Sequence, residues 1–185
     1  NTVLVTGCAG FIGSKVTEVL LENGTKVIGI DNINDAYSTR LKEWRLEKLK
    51  LLKNFCFVKL DITELNPLME LFQQFRFDGV INLAARAGVR ESVKNPWIYI
   101  ETNIKGTANL LELCKEFDVK KFILASTSSV YGKSEVPFSE NDRSNHQLSP
   151  YAVTKKSAEC LAYTYHYLYG IDVTVLRYFT VYGHA

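Results

Sequence analysis

Val3-Leu4-Val5-Thr6-Gly7-Cys8-Ala9-Gly10-Phe11-Ile12-Gly13 is the stretch whose reading decides how this chain folds. A short apolar run meets three glycines. A segment with apolar residues at helical spacing follows, through Phe11, Ile12, Val16, Val19 and Leu20. Strand, tight turn and helix is the arrangement this order predicts. Gly7 permits a sharp turn at the strand end, Gly10 lets backbone come close to a ligand, and Gly13 lets helix and strand pack. A helix N-terminus placed there presents unpaired N–H groups and the positive end of its dipole.

A glycine turn alone is weak evidence for a ligand, and its context sharpens it. Lys26 to Ile30 is a second apolar run, and it ends at Asp31. An acid about twenty residues past such a turn can accept hydrogen bonds from both hydroxyls of an adenosine ribose, and repels a 2′-phosphate. The pair therefore predicts a dinucleotide site that prefers NAD to NADP.

The same alternation continues along the chain. Helices are expected over 10–22, closing at Asn23-Gly24, and over 38–53, where Leu41, Trp44, Leu49 and Leu52 are interspersed with Lys and Arg. That cationic face reads as solvated. A third run, Phe55 to Leu60, ends at Asp61. Asn66-Pro67 reads as the N-cap and first position of the next helix. A fourth strand, Gly79 to Leu83, is followed by the small residues Ala84 and Ala85, which leave room for a flat ligand. Asn95-Pro96 should open a helix reaching Phe117, with the stripe Ile100, Ile104, Ala108, Leu111. Asn103 interrupts that stripe, and an amide in mid-helix is locally disfavoured. We expect it to face the site or to fix the helix that carries the chemistry. Strand five, Lys121 to Ala125, runs into the hydroxyls Ser126, Thr127, Ser128 and Ser129. A long polar loop from Tyr131 to Ser149 precedes a helix over 151–169 and a last strand, 172–177. Strands alternating with helices predict a doubly wound parallel α/β sheet, the Rossmann fold.

Composition narrows the function classes. The chain has 185 residues with 22 Lys and Arg against 20 Asp and Glu. So balanced a charge gives no basis for a nucleic-acid or anionic-membrane partner, and no run approaches the ~18 apolar residues of a membrane span. The chain enters a strand directly, so no leader peptide is expected. Cys8, Cys56, Cys114 and Cys160 are widely spaced with few histidines, so no metal site is expected. Reduced, buried thiols in a cytoplasmic protein are the default, with Cys8 in the glycine turn the one that could be reactive.

Tyr151 and Lys155 are four apart on the expected helix and share a face. A free tyrosine, with pKa about 10, is a poor base at neutral pH. A neighbouring ammonium and a cationic nicotinamide ring would favour the phenolate, as proton transfer with an alcohol requires. Thr127 would orient the reacting oxygen. That helix holds five tyrosines, most of them packing or contact residues, so Tyr-x-x-x-Lys gains its meaning from the glycine turn and the hydroxyl cluster.

Taken together, these features resemble the extended short-chain dehydrogenase/reductase (NAD-dependent epimerase/dehydratase) family over essentially the whole chain. The matching residues are Thr6-Gly7-x-x-Gly10-x-x-Gly13, Asp31-Asn32, Asp61-Ile62, Leu83-Ala84-Ala85, Asn103, the hydroxyls at 126–129 with Val130-Tyr131-Gly132, Tyr151-x-x-x-Lys155 and Arg177-Tyr178-Phe179. Within the family, residues 29–35, 84–90 and 177–183 are most similar to UDP-glucuronate 4-epimerases. The resemblance implies bound NAD, held by Gly7, Gly10, Phe11, Ile12, Gly13, Asp31, Asn32, Asp61, Ile62, Leu83, Ala84, Ala85, Asn103, Tyr151, Lys155 and Phe179. It implies a UDP-sugar substrate and inversion of C4 through a transient 4-keto sugar, with Tyr151 moving the proton. Ser128, Ser129 and Thr180 are expected to hold the sugar carboxylate, with Thr127 the further substrate contact. The 4,6-dehydratases of the family place an Asp-Glu pair after the threonine, where this chain has Ser128-Ser129. The decarboxylating enzymes usually carry a glutamate where Ser129 stands. Asn82 replaces a histidine common in relatives, and Lys15 lies where they often have His or Asn. UDP-glucose 4-epimerisation, another sugar-nucleotide dehydratase or reductase activity, and a non-enzymatic NAD-binding module remain as alternatives. Relatives dimerise through helices corresponding to 96–117 and 151–169. They also continue into a C-terminal substrate domain. So 1–185 is expected to be an NAD-binding domain that holds a UDP-sugar poorly and turns it over little by itself.

Overall fold

A computed structural model describes residues 1–142 and 144–183. Arg143 of the expected loop, and His184 and Ala185 of the tail, lie outside the described residues. Six parallel strands form one sheet: β1 (Thr2–Thr6), β2 (Lys26–Asp31), β3 (Phe55–Lys59), β4 (Gly79–Asn82), β5 (Lys121–Thr127) and β6 (Asp172–Tyr178). Their order is β3-β2-β1-β4-β5-β6. That order reverses direction between β1 and β4, and a crevice opens there beyond the strands' C-terminal ends.

Side chains alternate across each strand, so each strand feeds both layers. Val5 and Val27 pack with Leu21 of α1 (Phe11–Glu22) and with Leu46 and Leu49 of α2 (Thr39–Lys50). Leu4, Ile28 and Ile30 point the other way. They meet Leu68, Leu71 and Phe72 of α3 (Leu65–Gln74) and residues of the later helices. Both sheet faces are therefore covered, and the strands read as near-continuous apolar runs for that reason.

Two expected boundaries are corrected. Helix α3 starts at Leu65 with Glu64 before it, so Asn66 and Pro67 lie inside its first turn. Proline is tolerated there because first-turn N–H groups have no intrahelical acceptor. A short helix, α4 (Val89–Lys94), precedes the single helix expected over 95–117, which is instead α5 (Trp97–Tyr99), a wide π turn (Ile100–Lys105) and α6 (Gly106–Glu116). The extra residue in the π turn rotates the stripe. Asn103, Gly106, Thr107, Leu110 and Leu111 face inward, and Ile100 is left exposed. A longer helix, α7 (Pro150–Tyr169), is capped by the Ser149 hydroxyl, which accepts from Ala152 N at 3.1 Å, and closes on left-handed Gly170. No helix among the described residues is long and apolar enough to cross a membrane.

Candidate active site

The glycine turn is as tight as its spacing suggests. A Cβ on Gly13 would lie 2.0 Å from the Gly7 carbonyl oxygen, and one on Gly7, whose φ is +68°, would lie 2.8 Å from Ala84 N. Gly10 precedes α1 with no side-chain cap, and the first turn carries no acid. The N–H groups of Phe11, Ile12 and Gly13 thus open a helix end whose own first turn supplies no anion. That donor set fits the pyrophosphate of a dinucleotide.

From this turn a cleft runs across the sheet edge. Gly7, Gly10, Phe11, Ile12 and Gly13 line one end, and Leu83, Ala85 and Ala87 beyond β4 form its floor. Ser126, Thr127, Tyr151, Lys155 and Phe179 close the other end. A larger hollow of about 770 Å³ lies between α7 and the β6 edge, around Glu159, Tyr163 and Arg177. It lacks the glycine turn and Tyr151, so the smaller cleft is the candidate site.

At the catalytic end, Lys155 is buried, and its Nζ donates to the Ala125 carbonyl at 2.8 Å. Burial pulls its pKa down to about 8, with the charge of Glu159 opposing. Burial raises the Tyr151 phenol above its ordinary value. Hydrogen bonding with the Thr127 hydroxyl opposes that rise, and Tyr99 adds to it. The expectation that Lys155 lowers the phenol is corrected here. The ammonium is turned to the Ala125 carbonyl, and desolvation dominates. The Tyr99 ring meets Tyr151 edge-on at 6.2 Å, and its own hydroxyl donates to Ala87 O at 3.0 Å.

One turn beyond Lys155, buried Glu159 accepts from Ser126 Oγ at 2.5 Å and from Arg177 Nε and Nη2 at 3.0 and 2.9 Å. Lys156 adds a bond at 3.3 Å. These bonds, with the charges of Arg177 and Lys156, hold the Glu159 carboxyl below its usual value against the upward pull of burial. Glu159 thereby ties α7 to the ends of β5 and β6. The sequence reading missed it. The signal was an acid on the face shared by Ala152, Lys155, Ala158 and Ala162.

At the adenosine end, Asp31 Oδ2 accepts from Ala9 N at 3.2 Å and Oδ1 from Ile33 N at 2.8 Å. Asn32 donates to Asp61 Oδ2 at 2.6 Å. Burial would raise the Asp61 carboxyl, but hydrogen bonds from Thr63 and Asn32 and the Arg86 charge keep it low. Ile62 is buried against Gly106, where a Cβ would lie 2.5 Å from its Cδ1, so its side chain acts in packing. Lys42 and Arg45, expected to be solvated, are buried, and Lys42 Nζ lies 3.9 Å from Asp31 Oδ1. The clue was their place on the α2 face that also carries Leu46 and Leu49.

Asn103 takes the second of its two expected roles and fixes the helix that carries Tyr151 and Lys155. Its Oδ1 accepts from Arg86 N at 2.8 Å, and its Nδ2 donates to Arg86 O and Thr154 Oγ1, each at 3.0 Å. Its amide thereby joins the loop after β4 to α7. Asn82 continues this polar line. It accepts from Thr6 Oγ1 at 2.7 Å and donates to Thr107 Oγ1 at 3.1 Å, while Thr6 Oγ1 also takes Leu83 N and Ala84 N. The sugar-holding residues are less assembled. Ser128 and Ser129 lie half-buried in the turn after β5, with Ser129 N donating to Thr127 Oγ1 at 3.2 Å, and Thr180 is exposed beyond Phe179. None of the three is among the residues that line the cleft. Lys15 pairs with Glu18 on the surface.

The comparisons agree with this architecture. Residues 4–185 match the family model described as GDP-mannose 4,6 dehydratase. The chain is 57% identical over 182 residues to UDP-glucuronate 4-epimerase from Thermodesulfobacterium geofontis, covering 98% of this chain and 56% of that protein. Against UDP-glucuronate 4-epimerase 2 of Arabidopsis thaliana the identity is 48%, with 98% and 42% covered. The crystal structure of UDP-glucuronic acid 4-epimerase from Bacillus cereus, in complex with UDP-glucuronic acid and NAD, superposes with a TM-score of 0.92 at 43% identity, over 99% of this chain and 58% of that one. UDP-glucose 4-epimerase from Thermotoga maritima, with UDP-glucose, gives 0.87 at 37%. The chain spans about half the length of the curated relatives it matches. Motif, strand order and likeness converge: the chain belongs to the GDP-mannose 4,6-dehydratase family, within the extended short-chain dehydrogenases/reductases.

Proposed function

We propose that this chain is the NAD-binding domain of a nucleotide-sugar 4-epimerase, acting most directly on UDP-glucuronate to give UDP-galacturonate. The observation that carries the reading is the Tyr151–Thr127–Lys155 grouping at one end of a cleft whose other end is the glycine turn. NAD, when bound, would supply a reversible hydride acceptor and a cationic ring. Asp31 would take the adenosine ribose hydroxyls, and the first turn of α1 the pyrophosphate. Tyr151 takes the proton from the sugar 4-hydroxyl and returns it after the sugar has turned over. Thr127 holds the reacting oxygen and the phenol in line. Lys155, charged below about pH 8, lines the same end of the cleft and would bind the nicotinamide ribose. Ser128, Ser129 and Thr180 would hold the sugar carboxylate. The absence of an acid at Ser128-Ser129 separates this set from the elimination chemistry of dehydratases.

The test is incubation of a protein spanning the full length of its relatives with UDP-glucuronate, followed by product identification. UDP-galacturonate is expected, and formation of a 4-keto-6-deoxy sugar or of a pentose overturns the reading. Exposed Trp97, Tyr163 and Tyr167 support a homodimer through the helices near 96–117 and 151–169. Light scattering should return twice the chain mass.

A further inference from the structure

The polar loop after Tyr131 takes no part in the chemistry above, yet it is closely held. Its two ends touch: Gly132 has φ +61°, and a Cβ there would lie 2.5 Å from the His146 carbonyl oxygen. Gln147 Nε2 donates to Val130 O at 3.2 Å and to Ser144 O at 2.8 Å. Ser134 gives its N–H and its hydroxyl to Tyr131 O at 3.1 and 2.8 Å. A loop closed at its base and packed by its own side chains holds them in fixed places. This one brings Phe138 back onto buried Tyr131, ring stacked on ring at 4.8 Å and 11°. The Arg177 guanidinium, itself held by Glu159, lies 4.9 Å from the centre of the same Tyr131 ring.

Both rings reach Phe179. Its ring centre is 6.1 Å from that of Phe138 and 6.5 Å from that of Tyr131, at angles of 29° and 31°. Phe179 lies one residue beyond the last pair of the β5–β6 register, Thr127 with Tyr178. It is 60% exposed, and it still lines the cleft beside Tyr151 and Lys155. We propose that Phe138 is a positioning residue of this site: with Tyr131 it holds the Phe179 ring at the Tyr151 end of the cleft. A phenylalanine ring in water visits several rotamers. Packing against two neighbours, one of them fixed by a cation, removes that freedom before a ligand arrives, and so lowers the cost of binding.

This inference rests on the NAD reading above, in which Phe179 serves the nicotinamide half of the dinucleotide, and its test separates the two. NADH and ADP-ribose, which lacks the nicotinamide, are each titrated by calorimetry into the parent chain, Phe138→Ala, Phe138→Tyr, Phe179→Leu and Phe138→Ala/Phe179→Leu. Nicotinamide emission is recorded alongside, and circular dichroism checks the fold. Phe138→Ala should weaken NADH roughly two- to tenfold, the worth of an aromatic pair, and shrink the rise in emission on binding, while ADP-ribose affinity stays unchanged. Phe138→Tyr keeps a stacking ring and should recover both. In the Phe179→Leu background, adding Phe138→Ala should weaken NADH no further, because the first residue acts through the second. Unchanged NADH affinity and emission in Phe138→Ala overturn the positioning role. An equal loss for ADP-ribose, or a full additional loss in the double variant, does the same. Each of these leaves the NAD reading standing. If Phe138→Ala does not fold, Phe138→Leu, which keeps the bulk and drops the stack, is read by the same criteria. A parent that binds neither NADH nor ADP-ribose overturns both readings together.

Discussion

The two ends of the cleft solve different electrostatic problems. At the adenosine end, charges are fixed: Asp31 and Asp61 accept from backbone and amide donors, and Lys42 and Arg45 of α2 donate to Asn34 and Tyr37. At the other end, the groups are tuned. Burial raises the Tyr151 phenol and lowers the Lys155 ammonium to about 8, so it disfavours the charged form of each. Preorganised charge suits a ligand that stays. A desolvated phenol and ammonium suit a proton that must leave and come back.

Tyr151→Phe breaks the comparison most sharply. In a full-length protein it should lower the rate of epimerisation by roughly 10²–10⁴-fold, the usual worth of a positioned acid or base, while NAD affinity measured by calorimetry stays within a fewfold. Equal loss of binding and turnover would show that the two ends are not separate devices. Gly13→Ala probes the opposite end. Its new Cβ would lie 2.0 Å from the Gly7 carbonyl oxygen, so the turn must open. A stability loss of about 3 kcal/mol is expected in chemical denaturation, together with loss of NAD binding.

Glu159→Gln sharpens the contrast through pH. Lys155 has a folded value near 8, below the ~10.4 of an unfolded lysine. Its burial cost is therefore fully present below pH 8, and it fades as pH rises from there toward the unfolded value. Glu159 opposes this shift, and removing its charge should move the alkaline limb of the kcat/KM profile to lower pH. The unpaired Arg177 should cost about 1.5–3 kcal/mol in addition. A merely structural role would give the stability loss with an unmoved limb, and Glu159→Asp should restore the limb.

Legibility in the sequence followed the same division. The six strand segments, the glycine turn, Asp31 and the Tyr151–Lys155 pair were readable, because each rests on local patterning: a short apolar run, period 3.6, or a glycine no other residue replaces. What escaped depended on contacts between distant segments. The π turn that carries Asn103 exists because that amide pairs with Arg86, seventeen residues earlier, and with Thr154. Nothing local to 95–117 announces it. Glu159 matters through Ser126 and Arg177 on two other strands. The cations of α2 looked like an ordinary solvated face, because burying a charge is rarely the first reading of Lys or Arg. The pKa of Tyr151 went the other way from the expectation for a related reason. Tyr-x-x-x-Lys spacing gives proximity along a helix, whereas the direction of the ammonium is set by the Ala125 carbonyl on β5.

The smallest expected effect concerns Cys8, which sits inside the fixed-charge end. Burial raises its thiol strongly, and the Asp31 charge adds to the rise, so little thiolate forms near neutrality. There is also no room beside the sulfur: a Cβ on Gly29 would already lie 2.8 Å from Sγ. Cys160 on α7 is exposed to solvent. Iodoacetamide at pH 8 should therefore label Cys160 and spare Cys8, as read by peptide mass, and NAD affinity should not change. Rapid labelling of Cys8 would mean that the glycine turn opens on the timescale of alkylation. The adenosine end would then be a mobile device, and the contrast with the tuned end would fail at its rigid side.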